Sequence, residues 1–213
     1  MYLAPVIDET LESIRSKIVG KSSYFYITSV LNRAFKNTER FKFRYETFEN
    51  YSKDDYSVSG LYDMDKNQRH IIINFPKCSG KIEITPKMWR DFKFSISQVC
   101  QHETIHQDQW QYRESDGEPC MIDFRRLSET DIDEKEYLAD SDEIDAYAHD
   151  IAMEIKFCYG RQDPLEVLRN IDSKRKLWSY NYYKKTFKGD DWTIIKKRLL
   201  KKTFLWLPHV TIN

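Results

Sequence analysis

Residues 101–106 read Gln-His-Glu-Thr-Ile-His, so the chain carries the pattern His-Glu-x-x-His at His102, Glu103 and His106. On an α-helix two His four positions apart stand one turn apart on one face, and both imidazoles can reach a single metal ion at about 2.0–2.1 Å. Glu103, beside the first His, is turned around the helix from that face. It can reach a metal-bound water without ligating the metal, which is the position a general base needs. The chain has only five His, and two of them in one turn have little structural motive. A packed, hydrogen-bonded His pair is the plain alternative.

A catalytic zinc site needs three protein ligands and an open position for water. The extended metzincin motif would place Gly at 109 and His at 112, where this chain has Gln109 and Tyr112, so that class is excluded. The better source of a third ligand is the stretch 141–149, SDEIDAYAH. Glu143 stands at the edge of an apolar stripe formed by Ile144, Ala148, Ile151 and Ile155, where it can point inward while they pack. Ala146 and Ala148 are small enough to let this helix come close to another. Asp145 and His149 compete for the same role, and on an ideal helix Asp145 points about 200° away from Glu143, so the two cannot both face one metal. The bland reading of Glu143 is a solvated acidic face shared with Asp140, Asp142 and Asp145. Tyr147, one turn after Glu143, is a candidate to hydrogen-bond a ligand or a developing oxyanion, with Tyr112 and His149 as alternatives. Gln109 and Trp110 follow His106 by three and four residues and either line the cleft or pack.

The pattern around these residues predicts the elements that carry them. Apolar residues at Ile7, Leu11, Ile14 and Ile18 predict a helix closed by Gly20, and a second helical pattern covers 23–35. Short β-branched or aromatic runs at 41–48, 57–62, 70–75 and 81–85 predict three or four strands of one sheet. After Pro86 a long helix is expected, strongest over 95–112, then an acidic, poorly periodic segment from 113 to about 133. Helices are expected at 134–157, 164–183 and 192–202. This is an α+β order with a small mixed sheet, a long central helix and a helical C-terminal half. It is read as one domain over 1–213, with residues 1–113 forming the first part and 114–213 the second.

With His-Glu-x-x-His on one helix and Glu143 on the next, the chain resembles the zincin metallopeptidases, and within them the gluzincin-type sites. The EIDAYA segment is similar to the Glu-bearing helix found after this motif in several compact bacterial and phage zincins. The order KIEIT, PKMWRDFKFSISQVC, QHETIH resembles the layout of SprT-like proteases, where an edge strand precedes the active-site helix. SprT-like proteins use a third His soon after the motif, however, and 107–147 contains none; the usual gluzincin pattern has Asp four positions after the ligand Glu, where this chain has Tyr147. The resemblance covers about residues 70–155. It implies zinc held by His102, His106 and Glu143, Glu103 as the catalytic base, an edge strand at 81–85 holding an extended peptide, and zinc-dependent endopeptidase activity on a protein or peptide substrate.

Composition bounds the rest. The chain has 213 residues with 34 basic and 34 acidic side chains, enough for a real core and too charged for a membrane protein. No basic start with an apolar run and no span of about 18 apolar residues is visible, so a cytoplasmic location is expected, in host cytoplasm or virion if the source is a phage. Cys78, Cys100, Cys120 and Cys158 are scattered, which predicts reduced, mostly buried thiols. The zero net charge hides a contrast: residues 114–154 hold 15 acidic and three basic side chains, and residues 161–213 hold 13 basic and five acidic. The basic part is interleaved with Trp178, Tyr180, Tyr182, Tyr183, Phe187 and Trp192, a composition that suits single-stranded nucleic acid or, equally, an amphipathic helical pair with solvated lysines and buried aromatics. Two alternatives to a peptidase therefore stand: a catalytically silent zincin-fold structural or interaction protein, and a nucleic-acid-associated protein using its basic C-terminal region.

Overall fold

The computed structural model describes residues 4–36, 41–49, 55–77, 80–116 and 134–211. In chain order they form α1 (Ala4–Ser13), α2 (Arg15–Ile18), β1 (Gly20–Ser23), α3 (Tyr24–Ala34), β2 (Phe41–Phe48), β3 (Ser57–Asp63), β4 (Gln68–Pro76), β5 (Lys81–Ile84), α4 (Pro86–Asp116), α5 (Glu134–Ala139), α6 (Ser141–Tyr159), α7 (Pro164–Arg169), α8 (Trp178–Thr186) and α9 (Gly189–Trp206). The class is mixed α+β with small sheets and a helical C-terminal half. Two compact units divide the chain at Gln107 and Asp108, inside α4.

In the first unit, β4 lies between β2, to which it is parallel, and β3, to which it is antiparallel. Because side chains alternate along a strand, the register sets three rows on one face: Phe41, Arg69 and Tyr62; Phe43, Ile71 and Gly60; Tyr45, Ile73 and Val58. Phe41, Phe43, Ile71 and Ile73 join Ile7 and Leu11 of α1, Ile27 and Leu31 of α3 and Trp89, Phe92, Ile96 and Cys100 of α4 in one core. The other face carries Lys42, Arg44 and Leu61, all exposed. The outer edge of β2 is closed by a side chain: Asn32 donates to the Phe43 carbonyl at 2.8 Å and accepts from the Phe43 N–H at 2.9 Å.

The strands at 41–48, 57–62 and 70–75 form as expected, but the fourth, at 81–85, does not join their sheet. It is β5, and it pairs antiparallel with β1, Gly20 opposite Ile84 and Ser23 opposite Lys81, in a separate two-stranded sheet. The missed partner, GKSS, is too short and polar to show a strand pattern. Ile7, Leu11, Ile14 and Ile18 are all buried as their spacing predicts, although the helix is broken at Ile14 into α1 and α2.

In the second unit α6 is the central helix, flanked by α5, α7, α8 and α9. The helix expected over 134–157 is split by Asp140, whose side chain caps α6 by accepting from the Asp142 N–H at 2.7 Å. Within α6 a buried Glu154 accepts from the Ser179 Oγ at 2.7 Å and the Ser179 N–H at 3.1 Å, so the first turn of α8 satisfies it. The stretch expected as one helix over 164–183 comprises α7, a 3₁₀ turn at Ile171–Ser173 and α8. Of the acidic segment, 113–116 continues α4 and 117–133 lies outside the described residues, as do Cys78 and Cys120. Cys100 is buried and Cys158 is partly exposed, both as free thiols. Among the described residues no helix is long and apolar enough to cross a membrane.

Candidate metal centre

The motif falls inside α4, and its two imidazoles converge. His102 Nε2 and His106 Nε2 are 3.1 Å apart with the rings nearly perpendicular. Two nitrogens bound to one tetrahedral zinc at 2.0–2.1 Å stand about 3.3 Å apart, so the pair sits close to ligand geometry. Glu103 and Thr104, between them, face the sheet. Thr104 Oγ1 accepts from Arg69 Nη1 at 2.7 Å and donates to the Cys100 carbonyl at 2.8 Å. Arg69 is 1% exposed, and its guanidinium lies 4.1 Å over the Phe41 ring, a weakly hydrated cation held against an aromatic face.

Glu103, 5% exposed, lies against β3 at Gly60. Burial pushes the Cys100 thiol up, Arg69 draws it down and Glu103 raises it further, so both charges act on the same buried point. One residue beyond His106, Gln107 Nε2 donates to Asn67 Oδ1 at 2.5 Å, and Tyr62 Oη donates to the same oxygen at 3.0 Å. Asn67 sits in the turn between β3 and β4 with φ +46°, a conformation Asn tolerates. The motif is thus tied to the sheet on both sides of His106.

In the second unit the last turns of α4 bind the start of α6. Gln109 Nε2 donates to the Asp142 carbonyl at 3.3 Å, and Arg113 pairs with the Asp142 carboxylate. Gln109 and Arg113 follow His106 by three and seven residues, so they continue the helical stripe that carries His102 and His106. Glu143 comes one residue after Asp142 and is 7% exposed. The donor atoms of His102, His106 and Glu143 all lie within 4.8 Å of one another, a group that could hold a metal ion. Two imidazoles and a carboxylate are a donor set that suits zinc with one position left open.

Tyrosines surround Glu143. Burial and the charges of Glu143, Tyr147, Asp150 and Tyr182 raise the Tyr183 phenol, whose hydroxyl donates to the Leu138 carbonyl at 3.0 Å. Tyr182 donates to Glu134 at 2.6 Å, and burial, that bond and the charges of Glu134 and Glu143 push it up to about 12. Tyr147 is half-buried, its ring 5.1 Å from that of Tyr183 and 6.2 Å from that of Tyr182.

The competing ligands are held elsewhere. Asp145 accepts from Trp206 Nε1 at 3.2 Å and pairs with Lys202 at 3.0 Å. His149 is 1% exposed, edge-on to the Trp206 ring at 5.0 Å, with Nδ1 3.9 Å from Asp150. Both belong to the packing of α6 on α9, as the helical angle from Glu143 requires. Tyr112 is 67% exposed. His70 lies on the outer face of the sheet near Asp63, and His209 is exposed. The strand expected to border the motif, 81–85, pairs with β1; the strand against Glu103 is β3.

In the basic C-terminal part, Lys184 and Lys196 pair with Asp172 and Lys202 with Asp145, while Tyr180, Tyr183 and Phe187 are core residues. Trp178 is well exposed. Much of this composition is therefore used in packing the unit. Sequence reasoning missed Gly60, Arg69 and Arg113. Their signals were an isolated glycine within a strand, a basic residue opening the apolar run of β4, and a position seven residues past His106. Compared with protein-family models, curated proteins and solved structures, the chain matches none.

Proposed function

We propose that the chain is a zinc-dependent peptidase, with His102, His106 and Glu143 as metal ligands and Glu103 as general base. The observation that carries the reading is the convergence of these three donors on a turn whose intervening carboxylate faces a sheet edge. Zinc bound there would lower the pKa of a coordinated water to about 7 and polarise the scissile carbonyl. Glu103 accepts the proton of the attacking water and returns it to the leaving amine. Tyr147 is the candidate for stabilising the oxyanion, and its half-buried ring, packed with those of Tyr182 and Tyr183 on the Glu143 side, supports that role.

An extended peptide is the substrate that the sheet supports. The Lys77 N–H donates to the Phe48 carbonyl, which fixes the alternation of the ladder: odd-numbered β4 residues bond β2 and even-numbered ones bond β3. In β3 the residues opposite the latter are Ser57, Ser59, Leu61 and Asp63. Val58 and Gly60 then turn their N–H and C=O groups away from β4, toward the edge beside Glu103. Asn32 occupies the corresponding groups at Phe43 on the far edge, so β3 is the edge suited to adding a peptide strand.

The test is to incubate the zinc-loaded protein with an unfolded polypeptide and identify fragments by mass spectrometry. Cleavage that a chelator abolishes and zinc restores is expected, with Glu103→Gln retaining zinc and losing at least about 100-fold in rate. Undiminished cleavage by Glu103→Gln removes Glu103 from the mechanism.

A further inference from the structure

We propose that Gly60 is a positioning residue: the side chain it lacks is the space in which the Glu103 carboxylate stands. For its catalytic consequence this rests on Glu103 being the base of the proposed reaction; its structural part stands without that reading. Glycine inside a strand loses backbone entropy and packs nothing, a cost relative to Ala. Gly60 has no conformational need to offset it. Among the described glycines, positive φ occurs at Gly20, Gly80 and Gly189 and not at Gly60.

The reason lies on the helix-facing side of β3. There Gly60 shares a row with buried Phe43 and Ile71, and its neighbours on that side are Val58 and the buried Tyr62. A Cβ at Gly60 would stand 2.6 Å from Glu103 Cγ and 2.7 Å from Cδ, and closer still to Oε1. Ordinary carbon contacts are about 3.5–4.0 Å, so roughly an ångström must be found. The helix is poorly placed to retreat. Arg69 holds Thr104, the residue after Glu103, and Asn67 holds Gln107. The carboxylate is the flexible end of the contact, and it is what moves.

The experiment compares Gly60→Ala, Glu103→Ala and the double variant, each loaded with zinc. A misplacement of about 1 Å costs on the order of 100-fold, so Gly60→Ala should lose about that factor in kcat, with KM within about twofold and zinc content unchanged. Thermal unfolding gives a readout independent of catalysis. Gly60→Ala should lower Tm by about 3 °C or more with Glu103 present, and leave Tm unchanged or raised in the Glu103→Ala background, where the space is vacant. Equal Tm shifts in both backgrounds overturn the proposal, as does unchanged kcat in an active wild type. If the wild type cleaves nothing, the peptidase reading fails and the two Tm shifts still decide the role of Gly60. If Gly60→Ala does not fold, a folded double variant supports the proposal and an unfolded one overturns it.

Discussion

Replacing Thr104 by Val tests how the motif is fastened to the sheet. The two side chains have nearly the same shape, so the change removes a hydroxyl without opening a cavity. What is lost is the acceptor for Arg69 Nη1 at 2.7 Å, beneath a guanidinium that is 1% exposed. Water has little access to replace it. A hydrogen bond to a charged group contributes about 1.5–3 kcal/mol, so a destabilisation of about 2 kcal/mol is expected, close to 30-fold in the folding equilibrium. The bond from Thr104 to the Cys100 carbonyl adds little, because that carbonyl also accepts along the helix. In an Arg69→Met background the hydroxyl has no cation to receive, and Thr104→Val should cost below about 0.5 kcal/mol. The assay is hydrogen exchange of peptides spanning 95–107, read by mass spectrometry across a urea series, which reports on this stretch of α4. A cost below about 0.5 kcal/mol in the wild type, or an equal cost in both backgrounds, refutes the account of Arg69 as the anchor of this turn.

Three further outcomes follow from the same geometry. Asp145→Ala should destabilise the second unit by removing the partner of Lys202 and Trp206, yet leave zinc affinity within about threefold, whereas Glu143→Ala should weaken zinc by more than about 100-fold; competition with a chromophoric chelator separates the two. His149→Phe keeps an aromatic ring against Trp206 and should leave zinc affinity unchanged in the same assay, a loss above tenfold showing that His149 is a ligand after all. Asp172, which accepts from Lys196 at 2.5 Å, Lys184 at 3.0 Å and the Tyr180 hydroxyl at 2.8 Å, is held below the usual carboxylate range, chiefly by the Lys196 bond. Its contribution is present above the unfolded value near 3.9 and is lost as pH falls through the lower folded one. With half of the side chain exposed, it is worth about 1 kcal/mol or less. The stability gap between wild type and Asp172→Asn should therefore shrink from pH 5 to pH 2 in urea denaturation, and a gap that widens there contradicts the assignment.

The candidate metal ligands were legible because helical periodicity alone brings His102 and His106 together and turns Glu103 aside. Glu143 was legible as an inward position on the next helix, but its advantage over Asp145 and His149 came from residues far along the chain, Lys202 and Trp206, which no local pattern relates to α6. The sheet was half legible. The apolar runs of β2, β3 and β4 declare themselves, whereas β1 pairs through backbone bonds that its polar side chains do not announce, so β5 was assigned to the wrong sheet and with it the strand beside Glu103. Gly60 and Arg69 escaped because each is explained by a partner more than 30 positions away, Glu103 for one and Thr104 for the other.

His102, His106 and Glu143 are proposed to bind one metal. Zinc titrated into the chelator-treated chain and followed by isothermal calorimetry should bind at one equivalent, with His102→Ala and Glu143→Ala each weakening it more than about 100-fold and Asp145→Ala not doing so. Wild-type protein that takes up no zinc, or takes it up equally well without His102 and Glu143, contradicts the account.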